Sequence, residues 1–295
     1  MTGSTGGYQV ILWIQAFQCG ALDWIAVAAS FLGTEGFYLV FVPLFYWCSS
    51  KRDGVRLALV FLLSIYFNGL FKELFHTPRP DPLRVRVLYA SSGNGFSFPS
   101  GHAQNAMVFW GWFGRRQPWR RMPVALGGLV LTISLSRLYL GLHFPADVAG
   151  GWLLGGGLLM GLVLVDRRIS REPKGWEGRL LPWAGVVLPL VLLVARLHPV
   201  QAIVSGAMLG FCLGYLLESR WIQFTPQAPR SHQVAKALGG WLAGGAMAMA
   251  LRAALPPGDG FLFIQYAVLG LWVSLGLPAA YCWLTARQEV GLAGR

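Results

Sequence analysis

Two imidazoles, three cationic side chains and one carboxylate fall into three short polar motifs of an otherwise apolar chain. Lys72 and Arg79-Pro80 are separated by six residues, Pro99-Ser100-Gly101-His102 follows, and Ser136-Arg137 precedes His143 and Asp147. That set suits metal-free transfer of a phosphoryl group. Cations hold the anion, one histidine attacks phosphorus, the other protonates the leaving oxygen, and the aspartate orients the attacker.

The spacing assigns the roles. His143 precedes a helix start and Asp147 lies four residues on, within hydrogen-bond reach of one ring nitrogen, which leaves the other as a lone pair for attack. His102 has no carboxylate so near in sequence, so His143 is the expected nucleophile. His102 is the expected acid toward the leaving group and then the base that activates water. Ser100 stands where a helix N-cap belongs, aiming the backbone N–H groups of Gly101 and His102 into the polar segment, and Pro145 suits the first turn of the next helix. Two helix starts then present positive ends to one place, a ready anion site. Lys72, Arg79 and Arg137 would repel one another without an anion among them. Phosphate fits, gripped by arginine forks and a lysine point charge.

Each motif alone has an ordinary explanation: an interfacial anchor for Lys72 and Arg79, a turn and cap for Pro99–His102, a structural hydrogen bond for His143 and Asp147. Their common placement argues otherwise. Hydropathy predicts an all-α, polytopic transmembrane bundle of about nine spans, near residues 24–48 (broken or bent near 33–36), 55–75, 100–115, 122–142, 146–165, 180–197, 200–217, 237–255 and 261–284, preceded by an interfacial helix over about 8–17. Asp23 would be costly inside a span, by about 2.5–3.5 kcal/mol at its centre. Alternate loops carry Lys51, Arg52 and Arg56, then Arg115, Arg116, Arg120 and Arg121, then Arg167–Arg179, then Arg220, Arg230 and Lys236. Those loops should face the cytoplasm, which puts all three motifs on the opposite side. His76 lies there too, as a candidate substrate contact, whereas His198 and His232 read as surface residues.

Composition agrees with a membrane protein: 55% hydrophobic and 12% charged residues, and a mean hydropathy of +0.53. The net charge of +12 is spread over short loops with no basic tail or face, which excludes nucleic acid as a partner. Cys19, Cys48, Cys212 and Cys282 lack metal or redox spacing. Scarce carboxylates beside so many cations disfavour any metal, and no cofactor is called for. The first basic residue is Lys51, so no cleavable signal is expected and insertion relies on internal spans. The chain divides near Arg167–Arg179 into a motif-bearing part, 1–170, and a C-terminal membrane region, 171–295, of about four spans with no comparable constellation. There Gly206, Gly210 and Gly214 permit close helix approach, read as packing within the chain, with a homodimer as the alternative.

At these residues the sequence resembles the type 2 phosphatidic acid phosphatase superfamily, whose K-x6-R-P, P-S-G-H and S-R-x5-H-x3-D signature appears without departure over roughly the first 170 residues. The resemblance implies a helical membrane core, a phosphohistidine on His143, no metal, and a site facing the periplasm or exterior of a bacterial cytoplasmic membrane. It implies phosphate binding by Lys72, Arg79, Ser100, Gly101, His102 and Arg137. The expected partners are membrane lipids and an amphiphilic lipid phosphate, of the undecaprenyl diphosphate, phosphatidylglycerol phosphate or phosphatidate class. A phosphotransferase would share these motifs, and a lipid transporter or flippase is the reading from another class.

Overall fold

The computed structural model describes residues 5–116, 119, 121–171, 186–192 and 199–293, and all its extended regular elements are helices. They are α1 (Thr5–Gln15), α2 (Gly20–Phe31), α3 (Glu35–Cys48), α4 (Lys51–Phe75), α5 (Gly101–Arg116), α6 (Met122–Tyr139), α7 (Pro145–Arg171), α8 (186–192), α9 (Pro199–Leu217), α10 (Arg230–Ala254), α11 (Asp259–Leu271) and α12 (Leu277–Ala293). Single π-helical turns, Glu218–Ile222 and Trp272–Gly276, extend α9 and join α11 to α12.

Among the described residues, six helices are long and apolar enough to cross a bilayer, and a seventh span arises if α1 and α2, bent by 119°, count as one. Nine were expected, and the difference has local causes. The 24–48 span is two short helices, α2 and α3, meeting at a break over 32–34. α5 has only 16 residues, about 24 Å of helix, and buries Gln104 and Asn105 in its first turns. Most of 180–197 lies outside the described residues, as do Arg120, Lys174, Arg179 and His198.

The chain forms two compact units, Met1–Phe41 with Leu63–Arg167 and Val42–Leu62 with Arg168–Arg295. In the first, Ala26 of α2 packs with Tyr139, Leu140 and Leu142 at the end of α6, while Ala106 of α5 packs on Val130 and Ile133 of α6. A buried polar ladder ties α4 to α5. Ser64 Oγ donates to Asn105 Oδ1 at 2.7 Å, Asn68 Nδ2 to Gln104 Oε1 at 2.8 Å, and Gln104 Nε2 to the Ser64 carbonyl at 2.8 Å. Amides paired with one another and with Ser64 in a buried setting fix one register, so the first turn of α5 is held beside the end of α4. α7 crosses close by: a Cβ on Gly151 would stand 2.6 Å from the Ser100 carbonyl oxygen, and one on Gly155 2.6 Å from that of Gln104. Only glycine permits that approach, which brings the starts of α5 and α7 together.

In the second unit Gly206 and Gly210 of α9 lie against the carbonyls of Phe263 and Ala267 of α11, and Gly214 against Ser274. The glycine stripe is therefore used for packing inside the chain. Buried Glu218 accepts from the Phe224 N–H at 2.6 Å and the Tyr46 hydroxyl at 3.3 Å, and pairs with Lys51. Lys236 donates to the carbonyls of Trp47 (2.8 Å) and Pro226 (2.6 Å), and His232 meets the Tyr281 hydroxyl at 3.0 Å.

Candidate active site

Each motif enters from a helix end. α4 stops at Phe75, with His76 in the left-handed region (φ 45°). The following segment folds back so that the Ser97 N–H donates to the Thr77 carbonyl at 2.8 Å. After α6, Gly141 (φ 70°) turns the chain where a Cβ would run into the Arg86 carbonyl. Glycine adopts that conformation without steric penalty, and the turn delivers Leu142 and His143 to Arg79.

The Arg79 guanidinium donates to four carbonyls: Gly95 at 2.9 Å, Leu142 and Asn94 at 2.8 Å, and Phe96 at 3.3 Å. Its Nη1 also stands 3.1 Å from His143 Nε2. Lys72 Nζ donates to the same Phe96 carbonyl. Arg137, fully buried, donates to Ser30 Oγ at 2.5 Å, Ser92 Oγ at 3.0 Å and the Ser92 carbonyl at 2.8 Å.

On its other side His143 presents Nδ1 to Asp147 Oδ2 at 3.4 Å and to Ser97 Oγ at 3.3 Å. Ser97 donates to the same carboxylate oxygen at 2.5 Å, and the Phe144 N–H donates to it at 2.7 Å. Asp147 thus reaches back from the third position of α7 as half of a capping box. The expected His143–Asp147 contact is present, but a serine is wedged beside it. With acceptors on the Nδ1 side, the proton belongs on Nδ1 and the lone pair on Nε2. Burial first, then Arg79, Arg137, Lys72 and His102, hold His143 well below the usual imidazole range, so it is neutral. Burial also lowers Arg79 to about 10, with Asp147 opposing; it remains a cation at neutral pH.

Ser100 departs from expectation. Its carbonyl accepts from Gln104 N at 3.0 Å as α5 begins, and its N–H donates to the Asp147 carbonyl at 2.9 Å, but its hydroxyl caps nothing. Among the described residues, Ser100 Oγ, His102 Nε2, Arg137 Nε and Asp147 Oδ1 are buried without a hydrogen-bond partner. Buried polar atoms are normally paired, and these four belong to the second and third motifs. Gly101 leaves room for Asn68, whose Oδ1 would be 3.2 Å from an added Cβ. His102 and His143 share the fields of Lys72, Arg79 and Arg137. All eight expected residues therefore converge in the first unit. His76 is exposed beside this cluster, its ring 4.6 Å from that of Phe96.

Ser97, Ser92 and Ser30 were missed from sequence. Ser97 lies two residues before Pro99, inside the same polar string, which is the one signal that could have flagged it.

Comparison with known proteins agrees with this geometry. Residues 53–171 match the PAP2 superfamily, and residues 202–290 match the PAP2 superfamily phosphatase transmembrane extension. A dihydrosphingosine 1-phosphate phosphatase of Schizosaccharomyces pombe is 33% identical over 45% of this chain and 36% of its own length. Sphingosine-1-phosphate phosphatase 1 of Mus musculus is 30% identical over 41% of this chain and 30% of its own. The chain thus spans only about a third of the length of these relatives. Phosphatidylglycerophosphatase B of Bacillus subtilis is 30% identical over 51% of this chain and 78% of its own length. The crystal structure of a transmembrane PAP2 type phosphatidylglycerolphosphate phosphatase from Bacillus subtilis superimposes with a TM-score of 0.50 at 26% identity, covering 56% of this chain and 86% of that one. Its apolar helices and these matches make the protein an integral membrane protein, and with its motifs gathered into one cationic cluster the chain belongs to the PAP2 superfamily.

Proposed function

We propose that the protein is a lipid phosphate phosphatase working through a phosphohistidine on His143. The observation that carries this reading is the state of His143: neutral, its Nδ1 turned to Ser97 and Asp147, its Nε2 directed at an arginine where a phosphate would bind. Lys72, Arg79, Arg137 and the turn Ser100-Gly101 hold the phosphate oxygens, and Arg79 passes from Nε2 to the phosphate as substrate arrives. His143 Nε2 attacks phosphorus, the P–O ester bond breaks, and the leaving oxygen takes its proton from His102. His102 then removes a proton from water, the hydroxide attacks phosphorus, and the P–N bond breaks to free His143 and inorganic phosphate. Hydrogen bonds from cations to the equatorial oxygens favour the charge that spreads there in the transition state.

The substrate is an amphiphile whose tail stays in the bilayer, of the phosphatidylglycerol phosphate, phosphatidate or undecaprenyl diphosphate class. The site faces the periplasm or exterior of a bacterial cytoplasmic membrane, a reading that the distribution of basic loops supports, and residues 1–170 form the phosphatase core. His143→Ala should abolish phosphate release from micellar lipid phosphates. Turnover at the wild-type rate would refute the assignment.

A further inference from the structure

A groove at the far end of α5 from the motifs takes no part in the reaction above. It runs between α5 and α6, is floored by Trp152 of α7, and encloses about 710 Å³. Met107, Trp110 and Val130 make its walls apolar, and Gly127 and Arg115 stand at its rim, both exposed. From Met107 to Arg115 is about 12 Å of helix, most of the depth of one leaflet of hydrocarbon. The inner end closes on packed core, where Val130 meets Ala106 and Ile133, both fully buried. Arg115 lies about 21 Å along α5 from Gly101 at its start. A head group seated at Arg115 therefore belongs to a second molecule, not to the substrate held at the motifs.

Two features define the occupant. The first is Gly127, in the interior of α6, where a glycine is unfavourable unless something needs the room. Gly111 and Gly114 meet such a need inside the chain: a Cβ on Gly111 would stand 2.6 Å from Leu159 Cδ2, and one on Gly114 3.4 Å from Leu126 Cδ1. A Cβ on Gly127 would meet nothing within 4 Å, so the room it leaves belongs to the groove and not to another helix. The second is Arg115. Its neighbour Arg116 lies over the Trp112 ring, 4.6 Å from its centre, and pairs with Asp166 at 3.6 Å. No hydrogen bond or ion pair holds the Arg115 side chain among the described residues. Val124 and Leu131, both exposed, turn this side of α6 to hydrocarbon. An apolar slot one leaflet deep with an unpaired guanidinium at its mouth complements an acyl chain that ends in a phosphate, which arginine grips in a fork. A zwitterionic head group brings its own cation and gains less there than an anionic one. An arginine that only anchored the helix in the interface would treat the two alike.

We propose that this groove is a binding site for an anionic phospholipid of the leaflet opposite the catalytic motifs, with one acyl chain between α5 and α6 and its phosphodiester on Arg115. The chain takes the space of the side chain that Gly127 lacks. The lipid is a ligand and undergoes no reaction there, so the site does not depend on the phosphatase reading.

The test titrates the full-length protein in dodecyl maltoside micelles with phosphatidylglycerol and, separately, with phosphatidylcholine of the same two chains, and reads an apparent Kd for each from the rise in Tm. Wild type should bind phosphatidylglycerol about tenfold more tightly, as a charge-assisted hydrogen bond allows. Arg115→Gln should remove that preference, and Arg115→Lys should keep part of it. Gly127→Leu should lose the stabilisation given by either lipid. Gly128→Leu, whose side chain also enters open space but does not line the groove, should behave as wild type. The ratio of the two Kd values within one protein does not depend on how much of it is folded. Equal binding of both lipids by wild type, a preference that survives Arg115→Gln because it arises at the catalytic cations, or equal effects of Gly127→Leu and Gly128→Leu would overturn the proposal. Should Gly127→Leu fail to fold, the two Arg115 variants decide it by themselves.

Discussion

Ser97→Ala removes one oxygen from the most tightly connected part of the site. The Ser97 hydroxyl has one proton, and it goes to Asp147 Oδ2 at 2.5 Å. Its lone pairs therefore face His143 Nδ1–H at 3.3 Å, where they share that donor with the carboxylate at 3.4 Å. As Nε2 attacks phosphorus the imidazole becomes cationic, and both acceptors gain value on the way to the transition state. A hydrogen bond to a charged group is worth about 1.5–3 kcal/mol, so kcat/KM should fall about 10- to 100-fold. No contact from Ser97 to the cations is found among the described residues, so KM should change little. Single-turnover reactions with enzyme in excess separate the steps: formation of phosphoenzyme should slow by the full factor. Because Ser97 acts together with Asp147, the losses should not multiply. On an Asp147→Asn background, adding Ser97→Ala should cost markedly less than it does alone, a coupling above about 0.5 kcal/mol. A single variant within twofold of wild type, or an undiminished loss on the Asp147→Asn background, would refute the reasoning.

The neutrality of buried His143 predicts a pH dependence. Its folded pKa lies below the usual 6.5, so the acid limb of kcat/KM, which reports the free enzyme, should lie below pH 6.5; burial, Arg137, Arg79 and Lys72 lower His102 as well, so the basic limb set by loss of its proton is drawn down with it. Arg79→Met should move that acid limb back toward 6.5, because Arg79 follows burial among the causes; a limb that does not move contradicts the assignment. The same shift makes the unfolded chain bind more protons, so stability is complete above pH 6.5 and is lost as pH falls from there toward the folded pKa, measurable as a declining Tm. Gly33→Ala would place a methyl 2.6 Å from Ile133 Cγ2 and 3.0 Å from the His102 ring. It should lower kcat about tenfold, with Ile133→Ala restoring part of the loss; a fully active Gly33→Ala would show that His102 is not held from that side.

Hydropathy located α4, α6, α7, α9 and α10 and the continuous run through α11 and α12, because each carries enough apolar residues to cross hydrocarbon by itself. The other expected spans are not single long apolar helices among the described residues. α2 and α3 read as one span, broken or bent near 33–36, since their summed length is right; Gly33-Thr34 alone does not tell a kink from a break, and the structure has the break. α5 read as a span through its aromatic second half, whereas Gln104 and Asn105 are tolerable only because Ser64 and Asn68 of α4 pair with them. That pairing is tertiary and leaves no mark on periodicity.

The site was legible in its charged members for a related reason: in a chain with few ionisable residues, a lysine, two arginines, two histidines and an aspartate on one face need a common cause. Their wiring was not legible. The three cations are held by neutral oxygens: backbone carbonyls for Lys72 and Arg79, and two serines for Arg137. Serine is too common for Ser30, Ser92 or Ser97 to stand out, and any carbonyl can serve, so sequence could count the charges but not say what fixes them. The choice of neutral partners has a physical consequence. A carboxylate clamped to each cation would order it equally well but cancel the field that draws in phosphate, whereas a carbonyl orders the cation and leaves its charge. Asp147 is hydrogen-bonded to Ser97 and the Phe144 N–H and offsets Lys72 and Arg79 only in part, so three cations against one carboxylate leave the site a positive potential that a phosphate dianion can neutralise, and Arg79 can leave His143 Nε2 once that dianion offers it better oxygens.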